Sequence, residues 1–150
     1  MHFNLTIQIQ RAPGEVFAFL RDKHTFAQPP GSPVLVLEKT TSGAVGIGTR
    51  FREVVRMLPL VRAQIFSRVT RFEPDCCLQE EFWGAGMSGW LTYTFTPHEG
   101  GTLLVQDQII EVDGLLKLLI PLMRAMLIKR LRERLIAIHT VLEGGWPVEP

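Results

Sequence analysis

Cysteine and histidine, the residues that most often form covalent cross-links or hold metal ions, are scarce in this sequence. Its two cysteines, Cys76 and Cys77, are adjacent, and such neighbours rarely bond to each other because a disulfide needs Cα atoms roughly 4.4–6.8 Å apart with converging side chains. No Cys-x-x-Cys spacing and no pair of histidines four residues apart occurs, so we expect no zinc site and no other cofactor. The histidines are scattered singly, at His2, His24, His98 and His139.

An excess of charge of either sign is also missing. The chain has 16 basic and 15 acidic residues and a formal net charge of +1. The long-range field that attracts proteins to nucleic acid is therefore absent, and we expect no nucleic-acid partner. A basic cluster at 129–134 contains Glu133 and lies above a continuing apolar stripe, so we interpret it as the solvated face of a helix.

The sequence lacks the pattern of a signal peptide and a run of apolar residues long enough to span a membrane. Its first residues alternate instead of placing a basic start before an apolar run, which together with the cysteine usage predicts a cytoplasmic protein. The apolar stretch at 115–128 is shorter than the roughly 20 residues of a span. It also contains Lys117, Pro121 and Arg124, so we expect no stable membrane insertion.

That same stretch begins the most distinctive segment of the chain, residues 113–143. Its periodicity predicts one long helix, or two helices joined at Pro121, ending at Gly144-Gly145. One face carries an apolar stripe formed by Leu116, Ile120, Met123, Leu127, Leu131, Leu135, Ile138 and Leu142.

The first half of this helical segment is apolar on a second side as well. Leu115, Leu119, Leu122 and Met126 lie outside the stripe, so they also need cover. A membrane span, an ordinary core or dimer seam, and the roof of a ligand cavity are three ways to cover them. The sequence before this segment has to decide among the three.

The preceding residues predict a strand, one or two short helices and then six strands. Residues 2–10 alternate strictly, as in a strand with one buried face. Pro13 begins an amphipathic helix that continues to Asp22. Residues 23–33 form a connector because they contain Pro29, Pro30 and Pro33. The six later strands are expected at 34–41, 46–56, 61–72, 76–83, 88–96 and 102–112.

This order predicts an α+β fold in which the helices are segregated from an antiparallel sheet of about seven strands. Strands joined by short turns form an antiparallel meander, and such a sheet twists and curls. We therefore expect the curled sheet to wrap around the long C-terminal helix. The length of 150 residues suits one domain, 1–150, which can bury its own core.

Four stretches carry a family resemblance: Ile9 to Asp22 (IQRAPGEVFAFLRD), Val45 to Phe51 (VGIGTRF), Val69 to Asp75 (VTRFEPD) and the helix from Leu122 to Leu142. They resemble the START-like, or SRPBCC, superfamily, and more narrowly its polyketide cyclase/dehydrase and lipid-transport branch. The resemblance covers nearly the whole chain and implies the helix-grip fold of that superfamily.

The resemblance implies a deep ligand cavity between the concave face of the sheet and the C-terminal helix. Which residues line it depends on strand parity, because a slip of one residue exchanges every lining side chain for its neighbour. The predicted ligand-binding residues are Phe51, Phe82, Trp83, Trp90, Tyr93, Gln106, Gln108, Leu119, Met123 and Met126.

An enzyme in such a cavity needs a positioned acid or base, and Glu53, Tyr93 and Asp107 are the candidate catalytic residues. The two carboxylates are explained as well by outward cross-strand pairs with arginines such as Arg52 or Arg68. No Ser/His/Asp set and no phosphate-binding glycine loop stands out.

Three functions follow from these patterns. The first is the binding of a hydrophobic or amphipathic small molecule, such as a lipid, a polyketide or an aromatic compound, by a monomer or homodimer. The second is a polyketide cyclase or dehydratase that uses an acid/base residue in the cavity. The third is an interaction module that uses the apolar half of the C-terminal helix.

Overall fold

The computed structural model describes residues 1–28 and 31–144. Seven strands are followed by a long C-terminal helix, and a short helix lies between the first two strands. In chain order the elements are β1 (His2–Ile9), α1 (Pro13–Arg21), a 3₁₀ turn (Lys23–Thr25), β2 (Val34–Lys39), β3 (Arg50–Leu58), β4 (Val61–Glu73), β5 (Cys77–Gly84), β6 (Met87–His98), β7 (Gly101–Val112), a 3₁₀ segment (Gly114–Leu119) and α2 (Ile120–Leu142).

The predicted α+β fold is confirmed. The strands form one antiparallel sheet in the order β1-β7-β6-β5-β4-β3-β2, so the strand before α1 pairs with the last strand. Among its described residues, the predicted connector contains one 3₁₀ turn, at Lys23–Thr25. Pro29 and Pro30 lie outside the described residues, as does Gly145. Register shifts in the β2–β3, β3–β4 and β4–β5 pairs increase the local twist and bend the sheet into a half-barrel.

Helix α1 forms where the sequence pattern predicted it. Pro13 stands in its first turn, where a missing backbone N–H costs nothing. Val16, Phe17 and Leu20 are buried, and the Phe17 ring meets the edges of Phe72 and Phe95 at centroid distances of 5.3 Å. Helix α1 therefore closes one end of the half-barrel.

Helix α2 packs its apolar stripe against the concave face of the sheet. Met123, Leu127, Leu131, Leu135 and Ile138 of the predicted stripe are buried. Of the two predicted arrangements, the structure has two segments that meet at the proline. Since Pro121 stands in the first turn of α2, it is tolerated there and the preceding residues form the 3₁₀ segment.

The sequence predicted that the second apolar side of the segment 113–128 would be covered, but most of it is exposed. Leu115 is 84% exposed and Leu122 is 69% exposed, and Leu119 is also exposed. The cause is that the 3₁₀ segment begins two residues after the end of β7, so this segment and the first turn of α2, which contains Leu122, lie beyond the end of the sheet. Met126 alone of the four packs against the core.

Candidate ligand-binding site

A cavity of about 80 Å³ lies between the concave face of the sheet and α2. A single buried water needs roughly 10–15 Å³, so the cavity has room for several waters or for part of a larger ligand. Its apolar lining consists of Pro33, Val34, Val55, Met57, Ile65, Phe82, Met87, Leu91, Ile110, Leu127 and Leu131. Its polar lining consists of Glu53, Ser67, Glu80, Gln108, Arg130 and Arg134.

The polar residues that β3, β5 and β7 contribute lie toward one end of this cavity. Strands β3, β5 and β7 run in the same direction, and Glu53, Glu80 and Gln108 all precede the apolar lining residues of their strands. The other end lies where these strands finish, near Met57 and Met87. Its lining is mainly apolar, and Arg130 borders it by donating to the Met57 carbonyl at 3.2 Å. The cavity is amphipathic along its length.

Glu80 forms the most buried ion pair of the site. The Lys23 Nζ donates to both carboxylate oxygens of Glu80, at 2.8 and 2.9 Å, and both side chains are at least nine-tenths buried. Lys23 comes from the turn after α1, and its ammonium also lies 4.7 Å from the centroid of the Phe51 ring. The pair therefore ties the turn after α1 to the inner face of β5.

Glu53 is held by Arg134 of helix α2. The two guanidinium nitrogens of Arg134 donate to the two Glu53 oxygens at 3.4 Å each. Burial disfavours the charged guanidinium, but the negative charges of Glu53 and Glu80 outweigh it and raise the pKa of Arg134. Arg134 therefore remains charged and links α2 to the sheet.

Two neutral polar groups lie next to these ion pairs. The Tyr93 hydroxyl and Gln106 Oε1 are buried and have no hydrogen-bond partner among the described residues. Burial raises the pKa of Tyr93 to about 12 because it disfavours the phenolate. An unsatisfied buried polar group costs about 1–3 kcal/mol, so these two atoms call for an explanation.

The structure brings together part of the predicted site. Glu53, Phe82 and Gln108 line the cavity. Phe51, Tyr93 and Gln106 are buried on the inner face, each two positions along its strand from a lining residue, and Met123 is buried on α2. Met126 is partly buried against the core, whereas Leu119 is 48% exposed.

Three predicted residues lie on the outer face of the sheet instead. Side chains alternate between faces, and the register places Trp83, Trp90 and Asp107 opposite to their inward neighbours. Trp83 stacks on Phe66 with the centroids 6.4 Å apart, and Trp90 and Asp107 border a shallow outer depression. The sequence could not decide between Phe82 and Trp83 or between Trp90 and Tyr93. In the structure Phe82 and Tyr93 point inward.

Asp107 forms its side-chain hydrogen bonds on that outer face. It accepts hydrogen bonds from His2 and Asn4 of β1. Partial burial opposes its charged form, but these hydrogen bonds outweigh burial and lower the pKa of Asp107. The carboxylate therefore stabilises the β1–β7 pairing and does not reach the cavity.

Lys23, Glu80, Arg130 and Arg134 were not predicted as site residues. A sequence signal could have identified Glu80, because it stands between the apolar Leu78 and Phe82 on the same face of a strand. Arg134 stands three residues after Leu131, beside the stripe of α2. Nothing in the local sequence marks Lys23.

The curled seven-stranded antiparallel sheet, the long helix across its concave face and the cavity between them define a helix-grip, START-like protein. The chain belongs to the family described as polyketide cyclase / dehydrase and lipid transport, whose model matches residues 1–143. The superfamily predicted from the sequence is thereby confirmed. No curated protein matches the chain.

Solved structures with the same fold span nearly the whole chain. The protein TTHA0849 from Thermus thermophilus has a TM-score of 0.79 at 17% identity, covering 98% of this chain and 100% of that one. A START superfamily protein from Mycobacterium smegmatis has a TM-score of 0.76 at 14% identity, covering 97% and 99%. A conserved protein from Geobacillus kaustophilus has a TM-score of 0.71 at 13% identity, covering 95% of each chain. At these identities the likeness shows the fold alone.

Proposed function

We propose that the protein binds a hydrophobic or amphipathic small molecule in the cavity between the sheet and α2, with residues 1–150 acting as one ligand-binding domain. The observation that carries this proposal is the amphipathic lining of the cavity, with apolar residues at one end and paired charges at the other. Predominantly apolar pockets with a few placed polar groups are typical ligand sites. The family, described in terms of polyketide cyclases and lipid transport, supports the same class of ligand.

Native mass spectrometry of the purified protein, followed by denaturing extraction, tests this proposal. The wild-type protein is expected to retain a hydrophobic compound. Replacing Val55 with phenylalanine is expected to weaken retention by about tenfold or more, because the added ring occupies the space that the ligand needs.

Val54→Phe provides the matched control for this variant. Val54 is the neighbour of Val55 on β3 and points to the other face of the sheet, so the same substitution leaves the cavity unchanged. Equal retention by the Val54→Phe and Val55→Phe variants would contradict binding in this cavity.

The catalytic alternative is supported less well by the arrangement of its three candidate residues. Of these, Glu53 lines the cavity but is paired with Arg134, and Asp107 lies on the outer face. Tyr93 keeps its proton at neutral pH because its pKa is about 12, whereas a general base works best with a pKa near the operating pH. We therefore place ligand binding before cyclase or dehydratase activity.

A specific observation favours the interaction function as a second role. Four exposed leucines form what we call the leucine surface: Leu115, Leu118, Leu119 and Leu122. The same stretch contains Lys117 and Arg124, and no acidic residue occurs between 114 and 132. Apolar side chains flanked by cations suit the surface of an anionic lipid layer. None of the described helices is long and apolar enough to cross a membrane, so the proposed contact is peripheral.

Leu122→Glu tests the leucine surface without disturbing the fold. Leu122 lies in the first turn of α2, where a carboxylate is favourable to the helix. Losing an inserted leucine and adding a charge is expected to weaken binding to anionic vesicles by roughly tenfold or more. Co-sedimentation with vesicles that contain phosphatidylglycerol measures this.

Ile136→Glu is the control for this prediction. Ile136 is 59% exposed on the second half of the same helix, so its variant should bind vesicles like the wild type. Unchanged vesicle binding by Leu122→Glu would contradict the proposed surface.

A further inference from the structure

The polar end of the cavity has no net charge, and neither does the rest of the lining. Each charged side chain that lines the cavity has an oppositely charged partner within the described residues. The pairs are Glu53 with Arg134 at 3.4 Å, Glu80 with Lys23 at 2.8 Å, and Arg130 with Glu133 at 2.8 Å. A ligand with an ionised group would add an uncompensated charge to this enclosed set, which is unfavourable because the charge loses its hydration. The arrangement therefore disfavours carboxylates, phosphates and ammonium groups.

Two unsatisfied polar atoms adjoin this neutral end, the Tyr93 hydroxyl and Gln106 Oε1. Tyr93 and Gln106 are opposite each other on β6 and β7 and share the inner face, where opposed side chains have Cβ atoms about 4.5–5.5 Å apart. Gln106 Nε2 donates to Oε1 of Gln108, 3.0 Å away, and Gln108 lines the cavity. Gln108 thus connects the Gln106 amide to the cavity lining.

These two atoms require complementary hydrogen-bonding partners. The protonated Tyr93 hydroxyl offers a donor, whereas an amide oxygen such as Gln106 Oε1 only accepts. A ligand hydroxyl both accepts and donates, so its hydrogen-bonding capacity is complementary to both atoms. A carboxylate cannot donate, an ammonium cannot accept, and a hydrocarbon does neither.

We propose that the polar end of the cavity selects ligands with an uncharged hydroxyl group, a phenol or an alcohol, which accepts a hydrogen bond from Tyr93 and donates one to Gln106. The Gln108 side chain turns aside to admit the hydroxyl, and the hydrocarbon part lies among the apolar residues near Met57 and Met87. This inference rests on the proposed binding function and names the chemical class of its ligand.

Titration calorimetry at neutral pH with 2-naphthol, naphthalene and 2-naphthoate tests the inference, because the three share one ring system. We expect 2-naphthol to bind at least about tenfold more tightly than either of the others. Tyr93→Phe and Gln106→Leu should each reduce the affinity for 2-naphthol to that for naphthalene. Gln64→Leu, on the outer face of β4, should leave all three affinities unchanged.

Tyr93→Phe has a second readout that separates recognition from folding. Removing a hydroxyl that lacks a partner should raise the urea midpoint of the ligand-free protein, while the same change weakens 2-naphthol binding. A lower midpoint would show that the hydroxyl is satisfied within the ligand-free protein and would overturn the inference.

The remaining outcomes also decide the question. Equal affinity for naphthalene and 2-naphthol, a preference for 2-naphthoate, or an unchanged preference in Tyr93→Phe would overturn the hydroxyl inference and leave hydrophobic binding intact. If none of the three compounds binds and no compound is extracted from the wild-type protein, both proposals are overturned.

Discussion

Replacing Lys23 with methionine is expected to lower the free energy of unfolding by about 3–5 kcal/mol, the cost of leaving a buried charge without its partner. The Lys23 and Glu80 side chains are 9% and 6% exposed, and the ammonium contacts both carboxylate oxygens. Methionine keeps most of the aliphatic stem, so the loss reflects the charge and not the packing. Urea denaturation at neutral pH measures the effect.

Lys129→Met serves as the control, since Lys129 is exposed on α2 and its loss should change stability by less than about 0.5 kcal/mol. Adding Glu80→Gln to Lys23→Met should recover part of the stability because it removes the unpaired charge. A loss below about 1 kcal/mol in Lys23→Met, the value of an exposed pair, would mean that water reaches Glu80.

Replacing Leu131 with alanine is expected to destabilise the fold by about 2–5 kcal/mol and to change ligand affinity as well. Leu131 is 8% exposed and lines the cavity, so its truncation removes buried apolar contacts and enlarges the space available to a ligand. Urea denaturation measures the first effect, and titration with 2-naphthol and with a bulkier hydroxylated compound measures the second. In Leu131→Ala the affinity for the bulkier compound should rise relative to the affinity for 2-naphthol.

Leu135→Ala separates the two effects. Leu135 is 4% exposed on the same stripe, one turn further along α2, and is not part of the cavity lining. Its truncation should cost a similar amount of stability and leave the relative affinities unchanged. If Leu131→Ala and Leu135→Ala change affinity in the same way, the cavity does not select ligands by the shape of its α2 wall.

The elements were predictable because each has a local periodic signal. Strict alternation in β1 and the stripe on α2 identify a buried face within a few residues, so both segments were placed close to their observed bounds. The break at Pro121 was also visible, since the geometry of proline restricts where it stands in a helix. The resemblance to a known superfamily then indicated how these elements pack against one another.

The candidate site was predictable only in part, and strand parity shows why. Phe82 and Trp83 are both large aromatics on one strand, and nothing in their own sequence says which points inward. The pairing of Phe82 with Ser67 of β4 decides it, and that register depends on turns and bulges along the whole sheet. The same pairing put Trp83 against Phe66 on the outer face.

The sequence by itself determined the order of the elements, the buried stripe of α2 and the superfamily. The tertiary structure decided which charges meet: Lys23 and Glu80 are separated by 57 positions, and Arg134 and Glu53 by 81. It also decided that Leu115 and Leu122 are exposed, because the sheet ends before it reaches them. Periodicity records only which side of an element is buried, whereas the partners across a cavity are set by the packing of elements that are distant in the chain.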